Sequence, residues 1–197
     1  GRFSGSKSAL SETDRITLDQ KTLESGVRCC VWGSREQEDV GDFSSGSSIG
    51  VSVYDTNNNN VLLNTRISED GRDAWTCVKV IEFGSQGGTP DRFIIFAKGW
   101  EKVSGTSEIY VYAVSMDSNS VPHIQPRGTL WSFMNMTPPF PSNRCDFSVL
   151  EGHSAGAIYI TLVLRNTTSF PGFTTYHVNT YKIVETTTAF TGSVMSS

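Results

Sequence analysis

Ala157-Ile-Tyr-Ile-Thr-Leu-Val-Leu-Arg165 is the stretch that decides the fold. Ile158, Ile160, Leu162 and Leu164 alternate with Ala157, Tyr159, Thr161, Val163 and Arg165, and strand side chains alternate faces with a period of two. One face is wholly apolar and the other mixed, the pattern of a sheet lying between a core and a second layer or partner. The same nine residues show no apolar recurrence at i, i+3, i+4 and i+7, so a helix is excluded here.

Immediately upstream stands Gly152-His-Ser-Ala-Gly156, a match to the G-x-S-x-G nucleophile elbow of α/β-hydrolases. That elbow opens into a helix, whereas the residues that follow are β-branched with period two. The hydrolase order also needs an acid between the serine and its histidine. No Asp or Glu occurs from Ala155 to Tyr176, and His177 is the only later histidine. The motif reads as a tight turn before a strand, and catalysis at Ser154 is not expected.

Outward from this point, short β-branched runs separated by turn residues extend from about Gly26 to Glu185. Ten strands are expected, over 27–32, 49–55, 61–66, 74–83, 92–98, 108–115, 129–134, 147–150, 157–165 and 175–184. So many short strands in one domain predict an all-β antiparallel barrel or sandwich with long surface loops. Residues 1–25 form a polar entry segment, with Leu18 and Leu23 on a strand or a short helical turn, and 186–197 form a Ser/Thr-rich tail. Asn57 to Asn60 predict a hairpin loop, because Asn tolerates left-handed backbone. The longer connections, 33–48, 84–91, 116–127, 135–144 and 166–174, are where function is expected.

Composition agrees. Ser, Thr, Asn and Gly supply 74 of 197 residues, and the 28 Val and Ile outnumber the 16 Ala and Leu, a balance that favours strands and turns. The net charge of −4 has the wrong sign for a phosphate-tracking surface, so no nucleic-acid partner is expected. No apolar run reaches the roughly 18–20 residues of a spanning helix, and no membrane insertion is expected. The start at Gly1 and the absence of a basic-then-apolar leader suggest an excised domain.

Cys29, Cys30, Cys77 and Cys145 lack zinc-ligand spacing and read as structural thiols with room for one disulfide, its pairing open. Cys29 and Cys30 are neighbours on a strand and must point to opposite faces. Glu36, Glu38, Asp39 and Asp42 lack the calcium-loop spacing, and the Gly84 to Gly88 loop lacks a following Lys-Ser/Thr, so neither metal nor cofactor is expected. The sequons at Asn135 and Asn166 matter only in a secretory setting.

Recognition by loops on a rigid sheet remains. Trp100 offers a stacking surface beside Lys102, and Asp117, Ser118, Asn119 and His123 offer hydrogen-bonding groups, a set suited to a receptor or glycan. Tyr110, Tyr112, Tyr159, Val163 and Tyr176 exceed what one core covers and predict a homodimer interface.

Ser11-Glu-Thr-Asp-Arg-Ile-Thr-Leu-Asp-Gln20, Ala74-Trp-Thr-Cys-Val-Lys-Val-Ile-Glu-Phe-Gly84 and Arg127-Gly-Thr-Leu-Trp-Ser-Phe-Met-Asn-Met-Thr-Pro-Pro-Phe-Pro141 give the chain a texture that resembles the astrovirus capsid spike of the avian type. The resemblance covers essentially the whole chain without a short diagnostic motif. It implies a protruding capsid domain, cut from a precursor, dimeric about a two-fold axis on a β-barrel or sandwich core. It also implies engagement of a host-cell receptor, exposure to antibodies, and a place on the virion surface after assembly in the host cytoplasm, with both sequons unused. Similarity to calicivirus or hepatitis E protruding domains implies nearly the same function. No family receptor motif aligns residue by residue. A cellular lectin or adhesion module is the second reading, and a serine hydrolase the third.

Overall fold

A computed structural model of the chain describes residues 16–34, 48–68, 74–84, 89–100, 106–134, 147–151, 157–167, 174–185 and 190–196. Among them run twelve strands: β1 (Ile16–Thr22), β2 (Val27–Ser34), β3 (Ser48–Asp55), β4 (Asn60–Ser68), β5 (Ala74–Phe83), β6 (Arg92–Trp100), β7 (Thr106–Met116), β8 (Pro122–Met134), β9 (Phe147–Glu151), β10 (Ala157–Thr167), β11 (Thr174–Glu185) and β12 (Phe190–Ser196). They form three four-stranded sheets in the orders β1-β2-β3-β4, β5-β6-β7-β8 and β12-β11-β10-β9. In each sheet, sequence neighbours pair antiparallel, so every sheet is a meander. No described residue is helical, as the period-two patterning predicts.

In the middle sheet, strands β5 to β7 are buried on both faces. Phe93, Ile95 and Ala97 of β6, with Tyr112 and Val114 of β7, join Val31, Ile49, Val51 and Val53 of the first sheet in one core. The alternate residues Ile94, Phe96, Ile109, Val111 and Ala113 join Ile158 and Ile183 of the third sheet in a second. Burial on two faces is why 93–97 reads as a continuous apolar run instead of an alternating one. Each fully buried Ile, Val or Phe contributes about 1.5–3 kcal/mol relative to exposure.

A bulge on β5 divides the two cores. The register with β6 slips between Trp75 and Cys77, so Thr76 is the extra residue. Without it Trp75 and Cys77 would share a face. With it, Trp75 packs in the first core and Cys77 in the second. Cys77 is disulfide-bonded, whereas Cys29 and Cys30 are free and buried.

The first and middle sheets are joined edge to edge through side chains. Thr17 Oγ1 accepts the Val78 N–H at 3.1 Å, and Asp19 Oδ2 accepts the Val80 N–H at 2.9 Å. Edge-strand amides that no neighbouring strand pairs are thus satisfied by β1.

Ten expected strands are present, several a few residues longer. β1 makes Ile16–Thr22 of the entry segment a strand, residues 1–15 lying outside the described residues, and β12, absent from the sequence reading, adds an edge to the third sheet. The connection expected over 116–127 is a tight hairpin instead, because β8 begins at Pro122. β8 lies at a sheet edge, where Pro122 and Pro126 cost no ladder bond. Its register with β7 slips twice, and Gly128 there has φ of 95°. Asn57 to Asn60 behave as read: the turn spans 56–59 and Asn59 sits at φ 59°.

Candidate functional site

The residues chosen from sequence separate into three places. Asp117, Ser118, Asn119 and His123 do come together, in the β7–β8 hairpin. Asp117 Oδ1 accepts the N–H groups of Asn119 and Val121 at 2.8 and 2.9 Å, and Ser120 N–H donates to Asp117 O. Ser120 takes a left-handed φ of 59° to close the turn. His123 Nε2 lies 2.8 Å from Asp117 Oδ2. The bond to His123, followed by the Val121 amide, holds the Asp117 carboxyl below the usual carboxylate range. Asp117 is thus committed to its own hairpin, and the other exposed polar residues at the tip are Ser118, Asn119 and Ser120.

Trp100 stands at the opposite end of the middle sheet. It pairs with Ser107, while the hairpin springs from the end of β7, where Ser115 pairs with Arg92. The eight residue steps of β6 between Arg92 and Trp100 span about 27 Å. Trp100 and the Asp117 hairpin therefore do not form one site. Lys102, the acidic group at 36–42, most of the Gly-rich loop, Asn135, Cys145 and the Gly152–Gly156 motif lie outside the described residues. The strands on either side of that motif pair antiparallel, Glu151 with Ile158, so a strand and not a helix follows it.

The tyrosines also divide. Tyr112 is 1% exposed within the first core, and Tyr110 packs against it. Tyr110 meets Trp75 edge to face, 5.6 Å between ring centroids, and donates its hydroxyl to Glu108 Oε2. Tyr112 thus lies in the chain's own interior, and Tyr110 is half-buried against the same core. The sequence overcounted its surplus because a second core was not foreseen. Tyr159, Val163 and Tyr176 share one outer face of the third sheet, where Tyr159 pairs with Lys182, Val163 with Val178 and Arg165 with Tyr176. Thr161 and Thr180 are hydrogen-bonded on that face at 3.2 Å, and Val184 is 42% exposed there.

A further surface emerges that the sequence did not single out: the outer face of the first sheet. Register places three rows of four residues across β1 to β4. The rows are Leu18, Trp32, Gly50 and Arg66, then Gln20, Cys30, Ser52 and Asn64, then Thr22, Arg28, Tyr54 and Val61. Gly50 shapes the first row. A Cβ at Gly50 would fall within the Trp32 indole, so the ring lies across β3 where a side chain would otherwise stand. Trp32 is half-buried and Leu18 beside it is 56% exposed. In the third row Arg28 donates from Nε to Thr22 Oγ1 at 2.8 Å and from Nη1 to Tyr54 OH at 3.1 Å, its guanidinium over the Tyr54 ring. Between them Ser52 donates to Asn64 Oδ1, and the Cys30 thiol donates to Gln20 Oε1 at 3.5 Å.

No known protein family, curated protein or solved structure matches the chain.

Cys30 shows how this face is sealed beneath its polar tips. Burial pushes its thiol up from the ordinary range, against the opposing pull of Tyr54 and Arg28, and burial raises Cys29 further on the core side. The charged groups among the described residues of this face are Arg28 and Arg66, with no carboxylate beside them. A lone Gly inside a strand pattern, Gly50 in Ser48–Asp55, was the available sequence signal for a close approach. What it could not give was the partner, since Trp32 reaches Gly50 only through cross-strand register.

Proposed function

We propose that the chain is a viral capsid surface spike that attaches the particle to a host-cell receptor. The observation that carries this reading is the burial of β5 to β7 of the middle sheet on both faces, which leaves two outer sheets free to turn ordered faces outward. A frame of that kind holds contact groups in place without movement, which lowers the ordering cost of binding. The resemblance of the Ser11–Gln20, Ala74–Gly84 and Arg127–Pro141 stretches to the avian-type astrovirus spike supports the same reading. The outer face of the third sheet, with Tyr159, Val163 and Tyr176, is the surface for a two-fold partner copy.

Fluorescently labelled domain applied to avian epithelial cells tests the attachment. Saturable binding, competed by unlabelled domain, is expected. Absence of saturable binding across a panel of such lines contradicts it.

A further inference from the structure

We infer that the Trp32–Gly50–Arg66 row on the outer face of the first sheet binds a terminal sialylated sugar. This deepens the attachment reading and rests on it for its biological role. The first argument is shape. Gly50 lets the Trp32 indole lie across β3, and Leu18 extends the apolar strip on the adjoining strand. A flat aromatic surface of that kind suits the apolar C–H face of a pyranose ring. The indole N–H has no partner among the described residues and is a donor available to a hydroxyl.

The second argument is charge. The chain carries a net charge of −4, yet among the described residues the charged groups of this face are Arg28 and Arg66. Arg28 is turned to Thr22 and Tyr54. Arg66 is exposed and makes no ion pair among the described residues, at the end of the row that Trp32 occupies. A guanidinium binds a carboxylate with two parallel hydrogen bonds, so the sugar it selects carries a carboxyl group. One available cation matches one carboxylate at a chain end. A sulfated polysaccharide needs a broad basic surface, which the described residues of this face do not supply.

The third argument is the neighbouring row. Gln20, Ser52 and Asn64 stand one row below, with side-chain amide and hydroxyl groups that exchange hydrogen bonds with sugar hydroxyls. The four strands place Leu18 and Arg66 about 14 Å apart at the usual inter-strand spacing, room for one or two sugar rings.

Saturation-transfer NMR with sialyllactose, and with lactose as the neutral control, tests the assignment. The expected result is transfer to the sialyl ring of sialyllactose and none to lactose. Arg66→Gln and Trp32→Ala are each expected to weaken binding about tenfold or more. Arg66 is exposed, so its variant keeps the fold even if the Trp32 variant does not. Failure of the wild-type domain to bind sialyllactose overturns the inference. So does affinity unchanged in Arg66→Gln, or binding to heparin in place of sialyllactose. Cell binding separates the two proposals. Attachment that survives sialidase treatment of the cells overturns the sialyl assignment and leaves the attachment reading standing. Sialyllactose binding without any cell binding does the reverse.

Discussion

Asp19 Oδ2 accepts the Val80 amide at 2.9 Å, so a side chain of the first sheet closes the exposed edge of the middle one. Thr17 does the same for Val78, one row along and more deeply buried. The two bonds fix how β1 sits against β5 and hence how the first sheet's outer face is aimed.

Removing either acceptor leaves a backbone N–H unpaired. Thr17→Val keeps the shape but loses the oxygen, and is expected to destabilise the domain by about 1–3 kcal/mol. Asp19→Ala is expected at the lower end of that range because its site is only partly buried, and Asp19→Asn, which retains an acceptor, less still. Urea midpoints rank the three, and amide exchange should accelerate first at Val78 and Val80. An unchanged midpoint in Thr17→Val contradicts the role given to this bond.

Gly50→Ala forces Trp32 off its seat, because the added methyl occupies the indole's place. The expected cost is about 1–3 kcal/mol, as for other overpacking changes, with a shift in tryptophan emission. In Trp32→Ala the same methyl has space, so the double variant should be less destabilised than the sum of the singles. Additive costs in that cycle would show that the ring does not rest on Gly50.

The Asp117 carboxyl is held below the model-compound value of 3.8 by His123 and the Val121 amide. A group with a lowered folded-state value stabilises the folded form above its unfolded value and ceases to do so as pH falls through the folded one. The β7–β8 hairpin should therefore keep its hairpin amide protection through mildly acidic pH and lose it only below 3.8. A carbon-detected NMR titration of the Asp117 side chain should give a midpoint under 3.8; a midpoint at or above it contradicts the described hairpin.

Cysteine labelling reads the two cores directly. Cys29 and Cys30 are free, but burial raises both thiols, so thiolate is scarce at neutral pH and native maleimide labelling should be slow. In denaturant without reductant both should label at once, while Cys77 should label only after reduction. Rapid native labelling of Cys29 would place it outside the first core.

Much of this was legible in the sequence because period-two patterning reports one strand at a time. The Asn57–Asn60 turn, the strand after Gly156 and the divergence of Cys29 from Cys30 all follow from local rules. Features that depend on neighbours did not follow. Tyr110 and Tyr112 read as surplus because alternation cannot count the layers stacked on a sheet. β8 was shortened because Pro122, Pro126 and Gly128 look like breakers until the strand is known to be an edge. β12, Phe-Thr-Gly-Ser-Val-Met-Ser, has too few apolar residues to register as a strand. Trp100 and the Asp117 hairpin were joined because both are rich in contact groups, and only the direction of β6 separates them.

The central claim is that β5 to β7 of the middle sheet are enclosed on both faces and form the rigid frame of the domain. Native-state hydrogen exchange tests it most directly. The amides of Ile94, Ile95 and Phe96 on β6 should be the slowest in the chain, exchanging only through global unfolding. Exchange there as fast as on the edge strands β4 or β12 would contradict the account.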